Sequence, residues 1–144
     1  MDYLKVLVEE IHSVVVATVD ETGHPHTTVM DMMWEDGKTV YFLTADFKPL
    51  YKRLKEDGRV AVTGMTQGAG TMDRKSISLT GQVKWIGKEH LEELLKANPY
   101  MYEIYPTEEG RSHLQVFRFK NAVGNFYDLT QLPPYQARFE IEGR

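Results

Sequence analysis

In the stretch "SISLTGQVKWI", Ile77, Leu79, Gly81, Val83 and Trp85 fall on one side, and Ser76, Ser78, Thr80, Gln82 and Lys84 on the other. Period-two alternation of this length is the signature of a half-buried strand. Shorter segments rich in β-branched and aromatic residues read the same way: "SVVVATVD", "HTTVMDMMW", "TVYFL", "RVAVTGM", "HLQVFRFKN" and "VGNFYDL". Turn-forming clusters separate the early ones, "ETGHP" and "EDGK", and the Gly-rich "TQGAGTMDRK" follows "RVAVTGM". Helical spacing occurs in three places. Leu4, Leu7, Val8 and Ile11 follow Asp2, a good N-cap. Phe47, Leu50, Tyr51 and Leu54 line one face of a helix from about Phe47 to Glu56, ended by Asp57-Gly58. Leu91, Leu94 and Leu95 point inward from "KEHLEELLKANP", with Pro99 as the stop. "TEEGRS" reads as a loop, and "TQLPPYQARF" as a tail without a strong period.

Short turns join the first three strands, which makes them antiparallel neighbours. Six or seven short sequential strands leave exposed edges unless the sheet closes, so the expected class is mainly β, a small antiparallel barrel with peripheral helices. At 144 residues, 42% hydrophobic and 26% charged, the chain suits one domain, taken as residues 1–140. Ile141-Glu142-Gly143-Arg144 spells a protease-recognition sequence often appended to recombinant proteins and is set aside from the fold. A net charge of −4 argues against general affinity for nucleic acid. The absence of cysteine removes disulfides, a thiolate nucleophile and cysteine-held metals. The first twenty residues lack a basic segment followed by an apolar core, and the run Val14–Ala17 is far too short to span a bilayer. The expected location is cytoplasmic, with no membrane partner.

Chemistry concentrates where the third strand meets the second helix. Leu43, Thr44 and Ala45 end the strand, and the Phe47 and Lys48 amides lie near a helix start, where orphan N–H groups favour an anion. Lys48 and Lys52 share a helix face. The alternative is a solvated lysine-rich helix capped by Asp46. On the second strand, alternation puts His26, Thr28, Met30 and Met32 on one side, either a soft surface for a flat ligand or partner, or ordinary barrel core. His24 and His26 are two apart, but no third metal ligand lies nearby in sequence, and no metal is expected. Gly68-Ala69-Gly70 precedes a strand, so neither a dinucleotide fingerprint nor a P-loop is present, and no Ser sits on a Gly-flanked elbow. Arg74 and Lys75 read as a solvated hairpin end or a cap over a ligand, and Trp85, Phe117, Phe119, Phe126 and Tyr127 as core, interface or a stacking platform.

Taken together, the strand "ATVDETGHPHTT", the ending "FLT", the helix ending "LKEDGRVAV" and the strand "SLTGQV" resemble the pyridoxamine 5′-phosphate oxidase-like FMN-binding split-barrel superfamily. The likeness is to its small members, grouped with general stress proteins and nitroimidazole-resistance (Nim-type) reductases, and runs from about Val14 to Leu129. It implies a homodimer with two FMN sites at the subunit interface. Carried over by position, the FMN-binding candidates are His26, Thr27, Thr28 and Val29 on strand two, Leu43, Thr44 and Ala45 ending strand three, and Lys48, Pro49 and Leu50 at the helix start. The departures bear on function. Thr28 stands where the oxidases carry Arg, Met33 where they carry Lys, and Lys48-Pro49-Leu50 where they carry Ser-Arg-Lys. Losing two charge-assisted contacts costs on the order of several kcal/mol of phosphate binding, so true pyridoxamine phosphate oxidase activity is not expected. The resemblance implies a flavoprotein oxidoreductase acting on a small molecule, with a reduced nicotinamide as donor and His26 as the choice if a proton donor is needed. The rival class is a non-enzymatic stress-related binding protein for a flavin, haem or other planar anion, with His113 or His26 as axial haem ligand.

Overall fold

In the computed structural model, which describes residues 1–142, the chain forms one antiparallel sheet. Its strands are β1 (Ser13–Val19), β2 (Pro25–Asp31), β3 (Trp34–Glu35), β4 (Val40–Ala45), β5 (Arg59–Met65), β6 (Lys75–Gly87), β7 (Leu114–Asp128) and β8 (Tyr135–Glu142). They run in the order β2-β1-β5-β6-β7-β4-β3, with β8 paired to β7. The two ends of that path, β2 and β3, are separated only by Met32 and Met33. The chain itself therefore bridges the sheet's two edges, and the sheet curls into a half-barrel. The mainly β, barrel-like expectation holds.

Inside the curl, Val14, Val16, Phe42, Val62, Leu79 and Phe117 belong to one buried cluster. A second cluster, with Met33, Tyr41, Leu43 and Val116, packs under α3 (Leu91–Ala97), which contributes Leu94 and Leu95. β4 is buried along its whole length because alternate residues serve the two clusters. Each fully buried large apolar side chain contributes about 1.5–3 kcal/mol, so this two-sided strand is a principal anchor.

Several elements differ from expectation. "HTTVMDMMW" is not one strand: Met32 enters the barrel core and Met33 the second cluster, which breaks the ladder between β2 and β3. Hence β4 pairs with β3 and β7 rather than with β2. The late strands merge into a single β7, because Lys120 forms a bulge between Phe119, which faces Val83, and Asn121, which faces Gln82. The supposed tail supplies β8, paired with β7 from Asn121 to Asp128. Ile141 and Glu142, set aside with the protease-like sequence, belong to this strand, and Ile141 is buried. Gly143 and Arg144 lie outside the described residues. The first helix is α1 (Tyr3–Lys5) followed by a π-helical turn over Val6–Ile11 that buries Val6, Leu7 and Ile11. The "TEEGRS" loop includes a short helix, Glu108–Arg111.

Candidate functional site

The second helix, α2 (Pro49–Glu56), covers one end of the barrel. Leu50 and Leu54 enter the core. Arg53 Nε donates to Thr18 Oγ1 on β1 at 2.8 Å, and the Tyr51 ring meets Trp85 and Phe117 edge-on. The helix begins later than its apolar period suggests. Pro49 occupies its first turn, Lys48 is the cap residue, and no side chain caps it. The Leu50 amide has no i−4 carbonyl within the helix.

Asp46 is not the cap. Its Oδ1 lies 2.8 Å from His113 Nδ1, and its Oδ2 accepts from Gln115 Nε2 at 3.4 Å. Gln115 Oε1 in turn accepts from Trp85 Nε1 at 3.0 Å, and Lys55 sits over the Trp85 ring at 4.4 Å. The Phe47 ring, largely exposed, lies edge-on to His113. Burial pushes the ammonium pKa of Lys88 down, against the pull of nearby Asp46; its Nζ donates to the Ser112 and Leu114 carbonyls. The carboxylate that was the alternative occupant of the helix entrance is therefore turned away from it. Two turn amides are also occupied: Asp46 N–H donates to His113 O and Lys48 N–H to Ala45 O.

The β2 candidates divide between two faces. Thr28 pairs with Val16 and His26 with Thr18, residues whose side chains face the core, whereas Thr27 and Val29 pair with Ala17 and Val15 on the outer face. His26 is exposed and bonded through Nε2 to Asp20 at 2.8 Å, and Val29 is 70% exposed. His26, the Thr22 hydroxyl and the His24 and Thr22 amides hold the Asp20 carboxyl well below its ordinary range. Met30 and Met32 are core, as are Phe117, Phe119 and Phe126. Leu43, Thr44 and Ala45 are buried, so their side chains form the wall behind the corner. Lys48 and Pro49 are exposed, and Leu50 is buried. Lys52 is exposed one turn along, 3.9 Å from Glu56.

The Asp46–His113–Gln115 link joins residues 67 and 69 apart in sequence, and no local pattern announces it. The same holds for a network around Asp31. Its carboxylate accepts from Ser13 Oγ and Tyr100 Oη, each at 2.6 Å, with His12 Nε2 at 3.4 Å. His12 itself adopts a positive φ of 62°.

The outer sheet face is not covered by any other described element. Val15, Val29, Met65 and Val123 are exposed on it, among Ala17, Ala61 and small hydroxyl residues. A shallow cleft of about 690 Å³ opens there, lined by Ala17, Val19, Ala61, Thr80 and Gln82 with Arg59 at one end.

The sequence that folds this way is matched by a family model over most of its length. The model, described as pyridoxamine 5′-phosphate oxidase, aligns with residues 2–127. The chain belongs to the pyridoxamine 5′-phosphate oxidase family. Similar solved structures agree on the fold. A NimC/NimA family protein from Clostridium acetobutylicum is 20% identical, with a TM-score of 0.76 over 97% of this chain and 95% of that one. A pyridoxamine 5′-phosphate oxidase-related, FMN binding protein from Nostoc punctiforme is 11% identical, with a TM-score of 0.61 over 90% and 85%. A heme binding protein from Mycobacterium smegmatis is 12% identical, with a TM-score of 0.71 over 94% of this chain and 56% of that one. No curated protein sequence matches. Among the described residues, no helix is long and apolar enough to cross a membrane, and no group of three metal-ligating side chains converges.

Proposed function

We propose that this family member is a homodimeric FMN-binding flavoprotein that reduces a small molecule with electrons from a reduced nicotinamide. The observation that carries the reading is the entrance of α2. In a segment covered by the family match, a helix starts without a side-chain cap, beside two exposed lysines, while Asp46 is held aside by His113. That arrangement suits an anion. The residues fit the phosphate end of FMN: Lys48 and Lys52 supply charge and the Leu50 amide a donor. Val29 and Thr27 are presented to a planar ring, and Thr28 lies on the adjoining inner side of β2. Leu43, Thr44 and Ala45 back the corner and contact a ligand through their backbone.

Bound FMN supplies hydride chemistry that no side chain of this chain offers. The chain's own contributions are placement, water exclusion by a second copy, and proton holding at His26, whose orientation Asp20 fixes. The unpartnered apolar outer face supports the dimer. Family membership alone does not decide the substrate.

Spectroscopy tests this directly. Protein loaded with FMN should be yellow, bind flavin saturably, and bleach when NADPH or NADH is added anaerobically. Failure to take up FMN would overturn the proposal. A second reading, haem held without turnover, rests on His113. Its Nδ1 is paired with Asp46 and its Nε2 has no hydrogen bond among the described residues, the orientation expected of a ligating imidazole. A Soret band lost in His113→Ala would select it.

A further inference from the structure

Arg118 sits in the middle of β7, opposite Tyr41 on β4 and Lys84 on β6, between the fully buried Phe117 and Phe119. Only 8% of it is exposed. Among the described residues it has no carboxylate within ion-pair distance, and its one hydrogen bond is a long one, 3.4 Å from Nη1 to Phe119 O. That carbonyl already accepts from Thr39 Oγ1 at 2.7 Å. A guanidinium has five donors and stays charged, and burying it without a counter-charge is costly. Its remaining donors are not sealed in, since Arg118 lines an open cleft of about 490 Å³ with Lys38, Thr39, Tyr41, Lys120 and Asn121.

The cleft's charge balance favours an anion. Lys38 and Lys120 stand exposed at its rim, and the bulge at Lys120 lifts that residue out of register with β6. Two carboxylates also border it. Asp36 is occupied: Oδ1 accepts from the Lys38 and Thr39 amides and Oδ2 from Tyr41 Oη at 2.7 Å. Those bonds outweigh its burial and hold its carboxyl below the ordinary range. Glu142, exposed on β8, is left as the one free acid among the described lining residues. A buried fork-shaped donor with two exposed ammonium groups at its rim suits a doubly charged tetrahedral oxyanion better than a carboxylate.

We propose that this cleft binds the phosphate group of a small molecule, with Arg118 at the floor and Lys38 and Lys120 closing from the rim. It is separate from the α2 entrance: Thr39 and Tyr41 stand at the beginning of β4, and Thr44 and Ala45 at its end. The sequence signal was a lone arginine inside the apolar run "VFRF".

The test is a ¹H–¹⁵N NMR titration of the full chain with inorganic phosphate, glycerol 2-phosphate and acetate at fixed ionic strength. Both phosphate probes should shift the Arg118 Nε–Hε resonance and the Lys38–Tyr41 amides saturably. A tighter fit for glycerol 2-phosphate supports a phosphate ester as the ligand, and a tighter fit for inorganic phosphate overturns it in favour of the free ion. Arg118→Gln should weaken binding by roughly tenfold or more, and the Lys38→Gln, Lys120→Gln double variant by a comparable factor. Lys48→Ala should leave these shifts unchanged. Absence of a saturable shift, or acetate binding as tightly as phosphate, overturns the proposal. If Arg118→Gln does not fold, the double lysine variant decides, and undiminished binding in it overturns the proposal as well.

Discussion

In the proposed flavin site Lys48, at the cap position of α2, is the cation set nearest the phosphate end, because the family resemblance puts Thr28 and Met33 where the oxidases carry charge. Lys48→Ala should therefore weaken FMN by roughly 1.5–3 kcal/mol while leaving riboflavin, which has no phosphate, nearly unaffected. Parallel fluorescence titrations check this, and equal losses would remove Lys48 from the site. Asp31 works on stability instead. Burial raises its carboxyl pKa, but the bonds from Ser13 and Tyr100 and the nearby His12 outweigh that and leave it depressed. A depressed folded-state pKa means stabilisation that is complete above the unfolded carboxyl range and lost as the pH falls through the folded value. Asp31→Asn should cost about 1.5–3 kcal/mol at neutral pH, and the gap should close on acidification below about pH 4. Urea unfolding at several pH values measures it; a gap that stays constant would mean the charge is irrelevant. At this scale the sequence was informative about faces: alternation correctly set His26, Thr28 and Met30 on one side of β2, and Met32, just past its end, enters the same core. It could not pair Asp46 with His113 or Asp31 with Tyr100, because those contacts arise only when distant strands and loops are brought together.

At Gly81, paired with Ala122, the neighbouring strands β6 and β7 approach too closely for a side chain. A Cβ on Gly81 would lie 2.1 Å from Asn121 O and 2.6 Å from Ala122 Cα, both backbone atoms that cannot yield without opening the bulge. Gly81→Ala should destabilise by about 3 kcal/mol or more, at or above the usual cost of overpacking. A thermal midpoint within a few degrees of the parent would contradict that. Ile141 tests the added strand. It is 1% exposed, and β8 also brings Phe139 to stack on Tyr3 at 4.7 Å. Ile141→Ala should cost about 2–5 kcal/mol if β8 is integral, and almost nothing if it is an appendage. The strands with uninterrupted alternation were legible. β8 alternates too, through Tyr135, Ala137, Phe139 and Ile141 against Gln136, Arg138 and Glu140. Pro133-Pro134 and the protease-like ending masked that pattern. The break at Met32-Met33 was hidden because two adjacent apolar residues look alike until each is assigned to a different core.

For the whole molecule, the curled sheet leaves one face covered by α2 and the core, and another carrying Val15, Val29, Met65 and Val123 with no cover among the described elements. Mainly β class and closure by curling followed from strand count and the need to hide edges. The pairing order β2-β1-β5-β6-β7-β4-β3 did not, because non-local pairing is set by packing rather than by local pattern. The candidate site was legible as an address, the corner after strand three, and not as a geometry. In the proposed dimer, two copies enclose two flavins between this face and the α2 entrance. Native mass spectrometry of the protein mixed with excess FMN tests it most directly. A dimer carrying two FMN is expected, and a monomer, or a dimer with no FMN adduct, would contradict this arrangement.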